Sequence, residues 1–125
     1  MNENENTLTG AVIGAAIEVH KELGPGLLES AYQRALAHEL TLRGIPFEEQ
    51  KNCPVRYKDI VIENAYRPDF LIGENIIVEI KAVDTLAEVH NAQVLTYLKF
   101  TNRRVGLLLN FNSTILVNGL RRFIK

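Results

Sequence analysis

The chain has 125 residues, 46% hydrophobic and 23% charged, with a formal charge of −1. That length suits one domain, and the composition is too apolar for a disordered segment. The charge argues against a surface that is basic throughout, the usual mark of a nonspecific nucleic-acid coat, but leaves room for a local basic patch.

Met1 to Asn6 is polar and acidic, so it does not read as a signal peptide. A flexible N-terminus is expected over 1–7 and a single domain over 8–125. A first helix is expected from about Leu8 to Leu23, with Ile13, Ala16, Ile17 and His20 along one face. Gly24-Pro25-Gly26 stops it. A second helix follows from about Leu27 to Arg43, its apolar face carrying Leu28, Tyr32, Ala35, Leu36 and Leu40, and Gly44 ends it.

From Phe47 to Val83 the pattern becomes strand-like. Val55 to Tyr57 and Ile60 to Ile62 predict two short strands around a turn at Lys58-Asp59. Ala65 to Ile72 reads as the next strand, with Pro68 marking an edge or bulge. Gly73-Glu74-Asn75 is a turn, and Ile76 to Ala82 a strand. A helix is expected over Leu86 to Thr101, opened by a capping box of Thr85 and Glu88. Val105 to Leu109 predicts a strand covered on both faces. Ile115 to Ile124 reads as a last strand, with a break at Asn118-Gly119. The expected fold class is α/β, a mixed central sheet flanked by helices. No apolar run approaches the roughly 18 residues of a membrane span. The single cysteine, Cys53, reads as an ordinary reduced thiol, so a cytoplasmic protein is expected.

In Ile76 to Lys81, period-two alternation turns Glu79 and Lys81 to the same face, their Cα atoms roughly 7 Å apart. Asp69 precedes them across the turn. If the hairpin is symmetric about Glu74, Asp69 lies opposite Glu79, with Cβ atoms about 4.5–5.5 Å apart. A one-residue slip would turn the two carboxylates to opposite faces. Side by side they repel unless a positive charge lies between them. Mg²⁺ or Mn²⁺ meets that need, because hard divalent cations take oxygen ligands and leave positions for water and phosphate. Asp69 and Glu79 are then the metal ligands, the Ile80 carbonyl a further one, and Lys81 orients or deprotonates the attacking water. The competing reading is an ordinary salt bridge of Lys81 with either acid on a solvated sheet face.

Two helical residues point to the same place, each with an alternative. Glu29, on the edge of the second helix's apolar face, reaches towards the sheet or simply favours the helix dipole. Gln93, among Val89, Tyr97 and Phe100 on the helical projection, bonds a substrate phosphate or metal-bound water, or makes a structural hydrogen bond. His20 reads as a core or edge histidine. Arg103-Arg104 and Arg121-Arg122 are phosphate contacts or solvated strand ends.

Gly26-Leu27-Leu28-Glu29-Ser30-Ala31-Tyr32 matches the pattern that names the GxxExxY proteins, with Val19-His20 and Leu23-Gly24-Pro25 around it. The resemblance continues through Arg67-Pro68-Asp69, Glu79-Ile80-Lys81, Gln93 to Tyr97 and Leu109-Asn110-Phe111. The GxxExxY proteins are similar to the PD-(D/E)xK nuclease superfamily, particularly its RecB-like branch with a helical Gln-x-x-x-Tyr element. The resemblance implies a restriction-endonuclease-like core, with Asp69 and Glu79 as metal ligands and Lys81 as catalytic lysine. It implies Glu29 as the acidic residue from the preceding helix, with Gln93 and Tyr97 as support; Tyr32 and His20 complete the expected supporting set. The expected function is divalent-metal-dependent hydrolysis of phosphodiester bonds in DNA or RNA. The alternative is a non-catalytic nucleic-acid- or partner-binding module that keeps the nuclease fold. With no separate recognition domain in the chain, specificity is expected from a partner protein or a homodimer, and no membrane is involved.

Overall fold

The computed structural model describes residues 3–125. Helix α1 (Glu3–Leu23) begins earlier than its apolar periodicity suggests. Glu5 holds that early turn to the domain: it is buried, its Oε1 accepts from Asn75 Nδ2 at 2.9 Å, and Arg104 lies 3.7 Å from its Oε2. The part of the flexible-terminus expectation that falls on Met1 and Asn2 lies outside the described residues. The buried face of α1 is Val12, Ala15, Ala16 and Val19, while Ile17 is 38% exposed. Of the expected face, Ala16 and His20 are buried and Ile13 packs against the core, so only Ile17 turns outward.

Helix α2 (Glu29–Leu42) buries Tyr32, Leu36 and Leu40 completely, as its pattern predicts, and leaves Leu28 outside as its N-cap. Strand β1 (Phe47–Glu49) follows. Strands β2 (Cys53–Tyr57) and β3 (Ile60–Tyr66) form a separate two-stranded hairpin around Lys58-Asp59. Ala65 and Tyr66 belong to β3, and the next strand, β4 (Phe70–Ile72), starts only after Pro68. Proline has no N–H for the ladder, so the expected continuous strand from Ala65 to Ile72 is divided there.

Strands β4, β5 (Ile76–Lys81), β6 (Val105–Asn110) and β7 (Leu120–Ile124) join β1 in a mixed sheet of order β1-β4-β5-β6-β7. Among the described strands, only β5 and β6 pair in parallel. Helix α3 (Glu88–Thr101) makes the crossover between them, as a parallel connection requires. Its N-cap is Ala87, not Thr85: the Ala87 N–H donates to His90 Nδ1 at 2.9 Å, so His90 supplies the cap expected from Glu88. The segment expected as one strand from Ile115 begins as a 3₁₀ turn, Leu116–Gly119, and becomes β7 only at Leu120.

The sheet has two apolar faces. One, with Phe70, Ile72, Ile76, Val78 and Ile80, lies under α1 and α2. The other, with Leu71, Ile77 and Leu108, lies under Val94 and Leu98 of α3. Gly106 allows α3 this close, because a Cβ there would collide with the Val94 side chain. Of the residues expected around Gln93, Tyr97 packs against this second cluster, whereas Val89 and Phe100 are exposed. No helix among the described residues is long and apolar enough to cross a membrane.

Candidate active site

The turn Gly73-Glu74-Asn75 lets β4 and β5 pair as Phe70↔Val78, Leu71↔Ile77 and Ile72↔Ile76. That register is symmetric about Glu74, and its continuation sets Asp69 opposite Glu79. Gly73 has φ +58°, which glycine adopts without strain. Arg103 secures the turn, its Nη1 donating to the carbonyls of Gly73 (2.8 Å), Ile76 (3.3 Å) and Ile72 (3.5 Å). This role was not readable from the sequence, because those partners lie about thirty residues away.

Beyond the ladder the two acids interlock through each other's backbone. The Asp69 N–H donates to Glu79 Oε2 at 2.6 Å, and the Ile80 N–H donates to Asp69 Oδ2 at 2.8 Å. Glu79 shares its face with Ile77, beneath α3, and is 3% exposed. Its carboxyl is pushed up to about 8, first by burial and then by the Asp69 charge. Burial also raises Asp69, opposed by the Ile80 N–H and by the charge of Lys81. The two carboxyls thus favour sharing a proton in the absence of a further cation. A strand residue directs its N–H and C=O to the same side. The Ile80 carbonyl therefore faces Asp69, along the edge that β4 has ceased to cover.

Lys81 ends β5 on the same face and is partly exposed. Its position is pinned from behind: its carbonyl accepts from the Phe111 N–H at 2.9 Å. Asn110, 3% exposed, accepts from the Val83 N–H at 3.1 Å and donates to the Val83 carbonyl at 2.8 Å. Glu29, in the first turn of α2, feels this cluster. Burial raises its carboxyl, the Asp69 charge raises it further, and Lys81 opposes both.

The Gly26-x-x-Glu29-x-x-Tyr32 spacing has a local mechanical explanation. Gly24 and Gly26, at φ +68° and +105°, turn the chain sharply between α1 and α2. The Tyr32 hydroxyl, one turn into α2, reaches back to donate to the Gly24 carbonyl and accept from the Leu27 N–H. Its ring stacks on Phe111 at 4.7 Å. Tyr32 therefore fixes the loop from which Glu29 projects and does not itself meet the acids. His20 is likewise placed at this loop end, its Nε2 2.7 Å from the Ser113 carbonyl. It lines a separate, mostly apolar cavity of about 380 Å³ between α1 and the 3₁₀ turn.

On α3, Gln93 Nε2 donates to the Tyr97 hydroxyl at 3.1 Å. Gln93 Oε1 is buried with no hydrogen-bond partner among the described residues. The Tyr97 hydroxyl is raised by burial and then by the charge of Glu79, opposed by its hydrogen bond with Gln93. Tyr66 stacks on Tyr97 at 4.9 Å. The structure thus brings Asp69, Glu79, Lys81, Glu29 and Tyr97 into one electrostatic cluster, with Gln93 bonded to Tyr97. Of the arginine pairs, Arg104 faces Glu5 and Arg121 donates to Asn91 Oδ1 at 2.8 Å, so both are engaged by the domain itself.

The donors suit a hard cation. They are carboxylate and carbonyl oxygens; Lys81 and Arg67 offset the buried acid pair only in part, and Gln93 Oε1 has no hydrogen-bond partner among the described residues. Among the described residues no three His, Cys, Asp or Glu converge as a complete metal cage. One or two carboxylates with the remaining positions left to water and phosphate is the usual arrangement for Mg²⁺.

No curated protein and no solved structure gives a significant match. Residues 6–123 match the family model described as the PD-(D/E)XK nuclease superfamily, whose members generally use divalent metals. That span contains the whole acid–lysine cluster and every strand of the sheet up to Phe123, so the chain belongs to the PD-(D/E)XK nuclease superfamily.

Proposed function

We propose that the protein is a Mg²⁺- or Mn²⁺-dependent nuclease that hydrolyses phosphodiester bonds in DNA or RNA. The observation that carries this reading is the interlock of Asp69 with Glu79 and Ile80, which sets two carboxylates side by side with Lys81 on their face. Within the superfamily, the Gly26-to-Tyr32 pattern and the Gln93–Tyr97 pair favour the GxxExxY group and the RecB-like branch.

Asp69 and Glu79 would hold the cation, joined by the Ile80 carbonyl. When bound, a divalent cation supplies positive charge to the scissile phosphate and acidity to a water. The residues of the chain do the remainder. Lys81 donates a hydrogen bond that orients the attacking water, and its charge offsets the carboxylates. Glu29, with its raised pKa, accepts a proton from that water or holds it from the α2 side. Tyr97 stays protonated and donates from its hydroxyl, and Gln93 Oε1 accepts from a water or substrate hydroxyl. The apolar wall of Ile77 and α3 keeps bulk water from Glu79 and strengthens each of these interactions.

The test is cleavage of single- and double-stranded DNA and RNA in Mg²⁺ or Mn²⁺. Wild type should cut at least one substrate, and Asp69→Ala, Glu79→Ala and Lys81→Ala should each abolish cutting. Wild-type rates from all three variants would overturn the assignment. Salt-sensitive binding of nucleic acid without cleavage in any divalent metal would favour a non-catalytic binding module.

A further inference from the structure

Gln33, on α2, is a buried amide that the acid cluster does not explain. It is 7% exposed, and its Nε2 donates both to Glu49 Oε2 at 2.8 Å and to the Asp69 carbonyl at 3.3 Å. The same Asp69 carbonyl accepts from the Gln50 N–H at 3.0 Å. Asp69 lies in the short irregular link between β3 and β4, just after Pro68, where no ladder holds it. Its backbone is fixed instead at both ends. Its N–H is held by Glu79, and its carbonyl by Gln33 and Gln50. Gln33, Glu49, Gln50, Glu29 and Asp69 line one open cavity of about 490 Å³ on the α2 side of the acids.

We infer that Gln33 is a positioning residue for Asp69: it transmits the placement of α2 to the candidate metal ligand through the Asp69 carbonyl. The inference rests on the proposed metal site. The chemistry favours an amide at this point. Its two N–H donors satisfy a carboxylate and a carbonyl together, which a carboxylate or aliphatic side chain cannot do. Glu49 has the complementary role of holding the amide: a charged acceptor on one N–H fixes the amide plane that presents the donor to Asp69. The same helix carries Glu29 one turn earlier, so a shift of α2 would move both acids together. Gln33 bonds the backbone of a ligand residue, not a metal or a substrate. Its loss should therefore appear as weaker metal binding with the fold intact.

The test is a Mn²⁺ titration by calorimetry of wild type, Gln33→Met, Glu49→Gln and Glu49→Ala, with melting temperatures measured in parallel. Gln33→Met keeps the length and helix propensity of the side chain and removes its donors. It should weaken Mn²⁺ binding about ten- to hundredfold, the usual loss when an outer support of a metal ligand is removed, with a melting temperature close to wild type. Glu49→Gln removes a charge but keeps an acceptor for Gln33, whereas Glu49→Ala removes both. Glu49→Ala should bind about three- to tenfold more weakly than Glu49→Gln. Wild-type Mn²⁺ affinity in Gln33→Met would overturn the inference while leaving the metal site standing. If Gln33→Met does not fold, the two exposed-site Glu49 variants decide, and equal affinities would overturn it. Failure of wild type itself to bind Mn²⁺ would remove the metal-site reading, and this inference with it.

Discussion

Glu79→Gln should make the metal-free protein more stable at alkaline pH while removing its affinity for divalent cations. Glu79 is 3% exposed, and its carboxyl is raised from 4.5 to about 8, by burial first and by the Asp69 charge second. Between those values the folded protein keeps a proton that the unfolded chain releases. The stability this group contributes is complete below about pH 4.5, falls as pH rises, and levels off above about 8. At about 1.4 kcal/mol per pH unit across that interval, the ceiling is on the order of 5 kcal/mol. Because the charge is shared with Asp69, on the order of 2–4 kcal/mol belongs to Glu79 itself. Glutamine stays neutral at every pH, its oxygen can accept from the Asp69 N–H, and its amide can donate to the Asp69 carboxylate. The assay is thermal and urea unfolding in EDTA at pH 5 and pH 8.5. The variant should exceed wild type by that amount at pH 8.5, a rise of roughly 6–15 °C for a domain of this size, and by much less at pH 5. No gain at pH 8.5, or an equal gain at both pH values, would refute the claim that a buried, repelled carboxylate sits at this position.

Lys81→Met should reduce cleavage about 10²–10⁴-fold yet retain Mn²⁺ binding, measured by single-turnover assays beside calorimetry. Loss of both together would assign Lys81 to holding the site and not to the reaction. Tyr32→Phe removes the hydroxyl shared by the Gly24 carbonyl and the Leu27 N–H. It should cost about 1–3 kcal/mol in urea unfolding, and an unchanged midpoint would contradict the loop-fixing role. Gly106→Ala places a Cβ against Val94 beneath α3 and should destabilise by about 1–3 kcal/mol, again read from unfolding midpoints.

The acid pair was legible because its geometry is local. The turn at Gly73-Glu74-Asn75 and period-two alternation are sufficient to set Asp69 opposite Glu79, and the observed register agrees. The α/β class, a mixed sheet flanked by helices, also follows from local pattern. Much of what escaped the sequence depends on distant partners. The early start of α1 needs Asn75 and Arg104 to hold Glu5. The sheet-facing side of α3 is set by the absence of a side chain at Gly106, on another element. Its N-cap moved because His90 could reach the Ala87 N–H. Nothing in the sequence marks Gln33, and Arg103 reads as a phosphate contact or solvated strand end, until the chain brings the Asp69 carbonyl to one and the β4–β5 turn to the other. Tyr32 was recognised by its spacing, but only the folded loop shows that its hydroxyl secures the turn behind Glu29 and does not touch the acids.

The most direct test of the central claim is anomalous diffraction from crystals soaked in Mn²⁺ at pH 8. A peak within coordination distance of both the Asp69 and Glu79 carboxylates, with the Ile80 carbonyl turned towards it, is the expected result. Ordered carboxylates still sharing a proton, with no peak between them at saturating Mn²⁺, would contradict it.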